Sequence, residues 1–126
     1  MHRSRLFGML VDTPATEAGA AVSFWTAALG GSARQDPDEP EYTRVADVVP
    51  GVAVVVQAVD DRPRIHLDIE TDDVEAETAR LLGFGAQLVE DRGGHRILRA
   101  PGGHLVCVVP VQSSPELFAG DSRVWS

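Results

Sequence analysis

"RIHLDIETDDVEAETARLLGFGAQLVE", residues Arg64 to Glu90, reads as strand, helix and strand in close succession. Ile65, Leu67 and Ile69 alternate with Arg64, His66, Asp68 and Glu70, the period of two expected of a strand with unlike faces. Asp72 and Glu75 have capping-box spacing. Val74, Thr78, Leu81 and Leu82 supply an apolar stripe, which predicts a helix to about Leu82. "GFGAQLVE" then turns into a strand. "HRILRA" and "HLVCVV" are two more, parted by the turn Pro101-Gly102-Gly103. This half of the chain is therefore β-α-β-β-β.

The same order stands upstream. "RLFGMLV" (Arg5 to Val11) is an apolar strand. Thr13 has the chemistry of a helix cap, and Pro14 suits a first helical position, where its missing N–H costs nothing. Ala18, Ala21, Val22, Trp25 and Leu29 recur at helical spacing until Gly30-Gly31 stops the run. "SARQ", "YTRVADV" and "VAVVVQAV" follow as strands, the last two parted by Pro50-Gly51, with "DPDEP" as an exposed loop. Laid over each other, Arg5 falls on Arg64, Gly30 on Gly85 and Pro50 on Pro101, so the chain is an internal duplication with shorter loops in its second copy. Neither half could close a core alone. The expectation is one α+β domain over residues 1–126, with module one at about 5–59, module two at about 64–110, and an irregular tail at 111–126 anchored by Phe118 and Trp125.

Composition narrows the function. With 19 acidic against 11 basic residues the net charge is −8, which lacks the basic footprint of a nucleic-acid binder and suits a neutral or cationic small molecule. No stretch approaches the roughly 18 apolar residues of a membrane span, and the apolar run near the N-terminus is too short for a secretion signal. A single cysteine, Cys107, permits no intrachain disulfide, which fits a reducing compartment. The expected location is cytoplasmic, with neither nucleic acid nor membrane as partner.

The doubled β-α-β-β-β unit resembles the vicinal oxygen chelate superfamily, the glyoxalase and bleomycin-resistance group. Its marks are Phe24-Trp25 before Leu29-Gly30, then His66-Leu67-Asp68 opening the second half, Phe84-Gly85-Ala86 after the second helix, and "APGGHLVC" (Ala100 to Cys107) near the end. The resemblance spans about residues 5 to 110. It implies two βαβββ modules whose curved strands form a cup-shaped mixed sheet, helices outside, and a homodimer. It also implies a divalent ion held by four side chains, two from each module. Position by position, the places of those ligands fall on Phe7, Ala53, His66 and Leu105, so one of the four survives. A single imidazole does not hold a catalytic ion, so no cofactor, metal ligand or catalytic residue is assigned.

What remains is a ligand-binding reading. His66 and Asp68 share a strand face and form a polar island in a cavity expected to be lined also by Phe7, Met9, Val55 and Cys107, and Gln57 ends the inward face of its strand. His66, Asp68, Gln57, Phe7 and Met9 are the candidate ligand-binding residues. The plain alternative is a polar pair bonded only to itself, with Gln57 in water. Phe24 and Trp25 read as core, Cys107 as a buried unreactive thiol, and His2, His95 and His104 as terminal or turn residues. The expected function is metal-independent binding of a small organic molecule in the cup, as in resistance or sequestration. The alternatives are a metal-dependent lyase, isomerase or dioxygenase, and an accessory domain without a ligand of its own.

Overall fold

The computed structural model describes residues 1–126. In order come β1 (His2–Pro14), α1 (Ala18–Leu29), β2 (Ser32–Gln35), β3 (Tyr42–Ala46), β4 (Ala53–Val59), β5 (Arg64–Thr71), α2 (Val74–Gly83), β6 (Gln87–Asp91), β7 (Arg96–Arg99), β8 (Leu105–Pro110), α3 (Pro115–Asp121) and β9 (Arg123–Trp125). The class is α+β with a mixed sheet, and the β-α-β-β-β order occurs twice. The chain divides into two compact units, Gly8–His66 and Met1–Phe7 with Leu67–Ser126. No helix is long and apolar enough to cross a membrane.

In the Gly8–His66 unit the strand order is β2-β3-β4-β1. β1 runs parallel to β4, with Leu10 opposite Val55 and Asp12 opposite Gln57. Gly8 is opposite Ala53, and a Cβ there would lie 2.9 Å from the Ala53 carbonyl oxygen, so only glycine lets the two strands approach so closely. Valines Val45, Val54 and Val56 form the core, and Met9, Ala21, Val22, Trp25 and Val48 close over it. Thus Ala21, Val22 and Trp25 of the α1 stripe seat as their spacing predicts, whereas Leu29 and Phe24, the latter read as core, are exposed. The helix start differs. Thr13 and Pro14 stay in β1, the Thr13 hydroxyl donates to the Val11 carbonyl, and a 3-10 turn over Ala15–Glu17 leads into the helix with no side-chain cap. The stop is the expected one: Gly30 takes the left-handed conformation (φ 74°), and its N–H bonds to the Thr26 carbonyl.

In the other unit the opening residues of β1 lie beside β5, followed by β8, β7 and β6. Leu98 and Val108 are fully buried at its centre. α2 is capped one residue later than the capping-box spacing predicts: the Asp73 carboxylate accepts the Ala76 N–H, while Asp72 accepts the Arg3 N–H from β1. The tail is ordered rather than irregular. Ser114 caps α3, Phe118 is buried, and β9 pairs antiparallel with His2–Ser4. The Trp125 indole N–H donates to the Ser4 hydroxyl at 2.8 Å, and its ring lies 3.9 Å from the Arg80 guanidinium carbon.

β5 inverts the ordinary arrangement of a two-faced strand. Its apolar residues Ile65 and Leu67 are 58% and 41% exposed, while His66 and Glu70 on the other face are buried. A buried polar face is stable only where its groups are hydrogen-bonded, so the partners of those groups locate the chemistry of the molecule.

Candidate ligand site

The buried polar face of β5 begins at His66, which is 8% exposed. Its Nδ1 lies 2.9 Å from Oδ2 of Asp12, a residue 6% exposed near the end of β1. The two come together because β1 carries Asp12 past its apolar run, Met9 to Val11, and keeps it in the sheet. A carboxylate on Nδ1 favours the tautomer with the proton there and the basic lone pair on Nε2. The pair therefore orients an imidazole toward hydrogen bonding or proton acceptance.

The row continues across the strands. Asp12 stands opposite Gln57 in the β1–β4 pairing, and Gln57 stands opposite Tyr42 in the β3–β4 pairing. Residues directly opposite in a ladder share a face. The Gln57 amide donates to the Tyr42 hydroxyl at 3.4 Å. Tyr42, Gln57, Asp12 and His66 thus form one polar line, with Leu10 and Val55 beside it as apolar neighbours. The other Asp12 carboxylate oxygen, Oδ1, is buried and has no hydrogen-bond partner.

Of the residues predicted from sequence, His66 and Gln57 stand in this line. Met9 does not. It packs with Trp25 over the valine core, and strand alternation puts it on the face opposite Leu10 and Asp12. Phe7 is half-buried on β1, in the other unit. Asp68 follows His66 by two positions on β5 and is the register partner of Cys107 on β8. Asp12 and Tyr42 escaped sequence reading. Asp12 falls just past the strand expected at Arg5 to Val11, and 54 residues separate it from His66, so no local spacing joins them.

The four-ligand divalent site that the fold implies does not fit these residues. Ala53 is buried against Gly8, and Leu105 faces Arg99 across β7–β8. Neither they nor Phe7 carries a donor atom.

Elsewhere in the Met1–Phe7 and Leu67–Ser126 unit, two fully buried carboxylates are structural. Glu70 accepts from the Gln112 and Ser113 N–H groups, the Ser113 hydroxyl and the Arg5 guanidinium. Burial alone would raise its pKa, but Ser113, Gln112 and Arg5 together hold it below the usual carboxylate range. Burial also opposes ionisation of Glu77, yet hydrogen bonds from Arg80, His2 and Ser4 pull it down to about 2. A cavity of about 410 Å³ beside Glu77 is lined by Leu6, Leu67, Ile69, Arg80, Arg123 and Trp125, among others.

The family described as "Glyoxalase-like domain" matches residues 8–109. No curated protein matches the chain in sequence. Among solved structures, the chain is similar to the hypothetical protein BH1468 from Bacillus halodurans C-125, with a TM-score of 0.62 at 10% identity over 88% of this chain and 96% of that one. It is also similar to a structure described as NAD-dependent benzaldehyde dehydrogenase from Legionella pneumophila, with a TM-score of 0.62 at 8% identity over 83% and 98%. Methylmalonyl-CoA epimerase from Mycobacterium tuberculosis gives a TM-score of 0.52 at 20% identity over 90% and 91%. At these identities the likeness is one of fold.

Proposed function

Since the chain belongs to the glyoxalase-like domain family, we propose that it binds a small organic molecule at the line Tyr42–Gln57–Asp12–His66, without the family's four-ligand metal site. One observation carries this reading: a buried imidazole held by a buried carboxylate at 2.9 Å. Desolvating both groups is costly unless the pair is put to use or fully satisfied. Here it is joined by an amide and a phenol that can orient a ligand's polar atoms, with Leu10 and Val55 as apolar contact. The imidazole fixed by Asp12 supplies a hydrogen bond and, for a ligand with an acidic proton, a general base. Sequestration of the ligand needs only the first of these.

A thermal-shift screen with neutral and cationic aromatic compounds tests the proposal, because a molecule that binds only the native state must raise Tm. His66→Ala should weaken any such ligand by ~1–3 kcal/mol, the range for a polar partner left unpaired. A ligand indifferent to His66→Ala would refute the site. No stabilisation by any compound would favour an accessory domain.

A second reading, metal-dependent lyase, isomerase or dioxygenase chemistry, is favoured by the imidazole of His66 and the carboxylate of Asp12 standing side by side as donors. Protein dialysed against zinc, nickel, manganese or iron would then retain about one ion per chain, and His66→Ala would abolish this. The ligand-binding reading expects no such retention.

We also propose that the protein works in the cytoplasm as a homodimer. In support, β2 and β6 end the strand order, and Leu88 and Val89 on β6 are exposed. Light scattering giving a monomer mass at about 10 μM would refute the dimer.

A further inference from the structure

Resting on the ligand reading above, we infer that Asp12 sets the specificity of the site: its Oδ1 takes a proton donor from the ligand, so the site selects cationic nitrogen compounds over carboxylates. The class is an amidinium, guanidinium or primary ammonium group on an apolar body. Asp12 is more than nine-tenths buried, and its two oxygens differ. Oδ2 is engaged by His66, whereas Oδ1 is buried without a hydrogen-bond partner. An ionised carboxylate accepts only, and buried acceptors in native proteins are nearly always satisfied. A ligand N–H completes Asp12, because no side chain of the line, Gln57 and Tyr42 included, donates to Oδ1.

Charge points the same way. The cations on this face are Arg34 and Arg44, both exposed to solvent, and Arg64, which is paired with Asp61, while the Asp12 carboxylate is buried. Charges act more strongly where water is excluded, so Asp12 outweighs these exposed or already paired cations at the line. A ligand carboxylate would meet Asp12 with repulsion; an amidinium would make a charge-assisted hydrogen bond. The net charge of −8 adds a long-range preference of the same sign.

The test is an NMR titration of the full chain, following the His66 imidazole and the amides of Asp12 and Gln57. The probes are benzamidine, benzylamine, benzyl alcohol and benzoate, which share a ring and differ in the polar group. Benzamidine and benzylamine should give saturable shifts at these residues, with benzoate at least about tenfold weaker. Asp12→Asn should reduce amidinium affinity by about tenfold or more and remove the preference. Should Asp12→Asn not fold, the ranking of benzamidine against benzoate on the unaltered chain decides alone. Benzoate or benzyl alcohol binding as tightly as benzamidine, or a preference that survives Asp12→Asn, would overturn the inference, leave Oδ1 to water, and keep the ligand site itself intact. If none of the four probes shifts His66, the site reading and this inference fall together.

Discussion

Glu77→Gln should destabilise the protein at neutral pH and lose that effect in acid. The Glu77 side chain is fully buried, yet its carboxylate is ionised, because Arg80 donates twice at 2.8 Å while His2 and Ser4 each lie 2.7 Å away. These contacts bring its pKa from 4.5 to about 2. At about 1.36 kcal/mol per unit, the folded state gains roughly 3 kcal/mol from ionised Glu77 relative to the unfolded chain. A depressed carboxylate pKa means that this stability is present above the unfolded value, near 4.5, and is lost as pH falls through about 2. Glutamine keeps the shape but cannot match the Arg80 fork, so Glu77→Gln should cost about 2–4 kcal/mol at pH 7. Urea unfolding of both proteins from pH 7 to pH 2.5 measures this. The stability gap should hold from pH 7 to about pH 5 and then narrow steadily. A gap under ~1 kcal/mol at pH 7, or one unchanged by acid, would show that Glu77 does not hold β1, α2 and the tail together as described.

Other substitutions test the packing. Trp25→Ala should lose ~2–4 kcal/mol in denaturant unfolding, somewhat below a full core truncation because the ring is only half-buried over Val45, Val54 and Val56. Asp73→Ala should cost about 1 kcal/mol, as the true cap of α2. Asp72→Ala should cost less than Asp73→Ala, and the reverse order would restore the capping box read from sequence. Gly8→Val should lower Tm by at least several degrees, since the added Cβ meets the Ala53 carbonyl oxygen at 2.9 Å and β1 must shift. Trp125→Phe keeps the stack on Arg80 but loses the bond to Ser4, and should cost about 1 kcal/mol by the same unfolding assay.

The class of fold was legible because its signals are local. Alternation in "RIHLDIE", the helical spacing from Ala18 to Leu29, and the glycine stops each follow from neighbours within a few positions, and all of these elements are present. Helix starts were read less well. Thr13 and Asp72 both have cap chemistry, but each found another bond: Thr13 to the Val11 carbonyl, and Asp72 to the Arg3 N–H. The tail looked irregular because seven helical residues and three strand residues carry little periodicity, and β9 exists only by pairing with residues more than a hundred positions away.

His66, Gln57 and the duplicated strand order could be picked out from the chain, since residue type and period are properties of short segments. Whether a polar strand face points to water or inward is not such a property. It depends on partners brought from afar: Asp12 for His66, Arg5 and Ser113 for Glu70, and His2, Ser4 and Arg80 for Glu77. Met9 shows the converse, an apolar residue whose face was settled by α1 packing over it. Burying a charge is unfavourable until its complement arrives, so tertiary pairing, not local sequence, turned the charged side of β5 into the buried one.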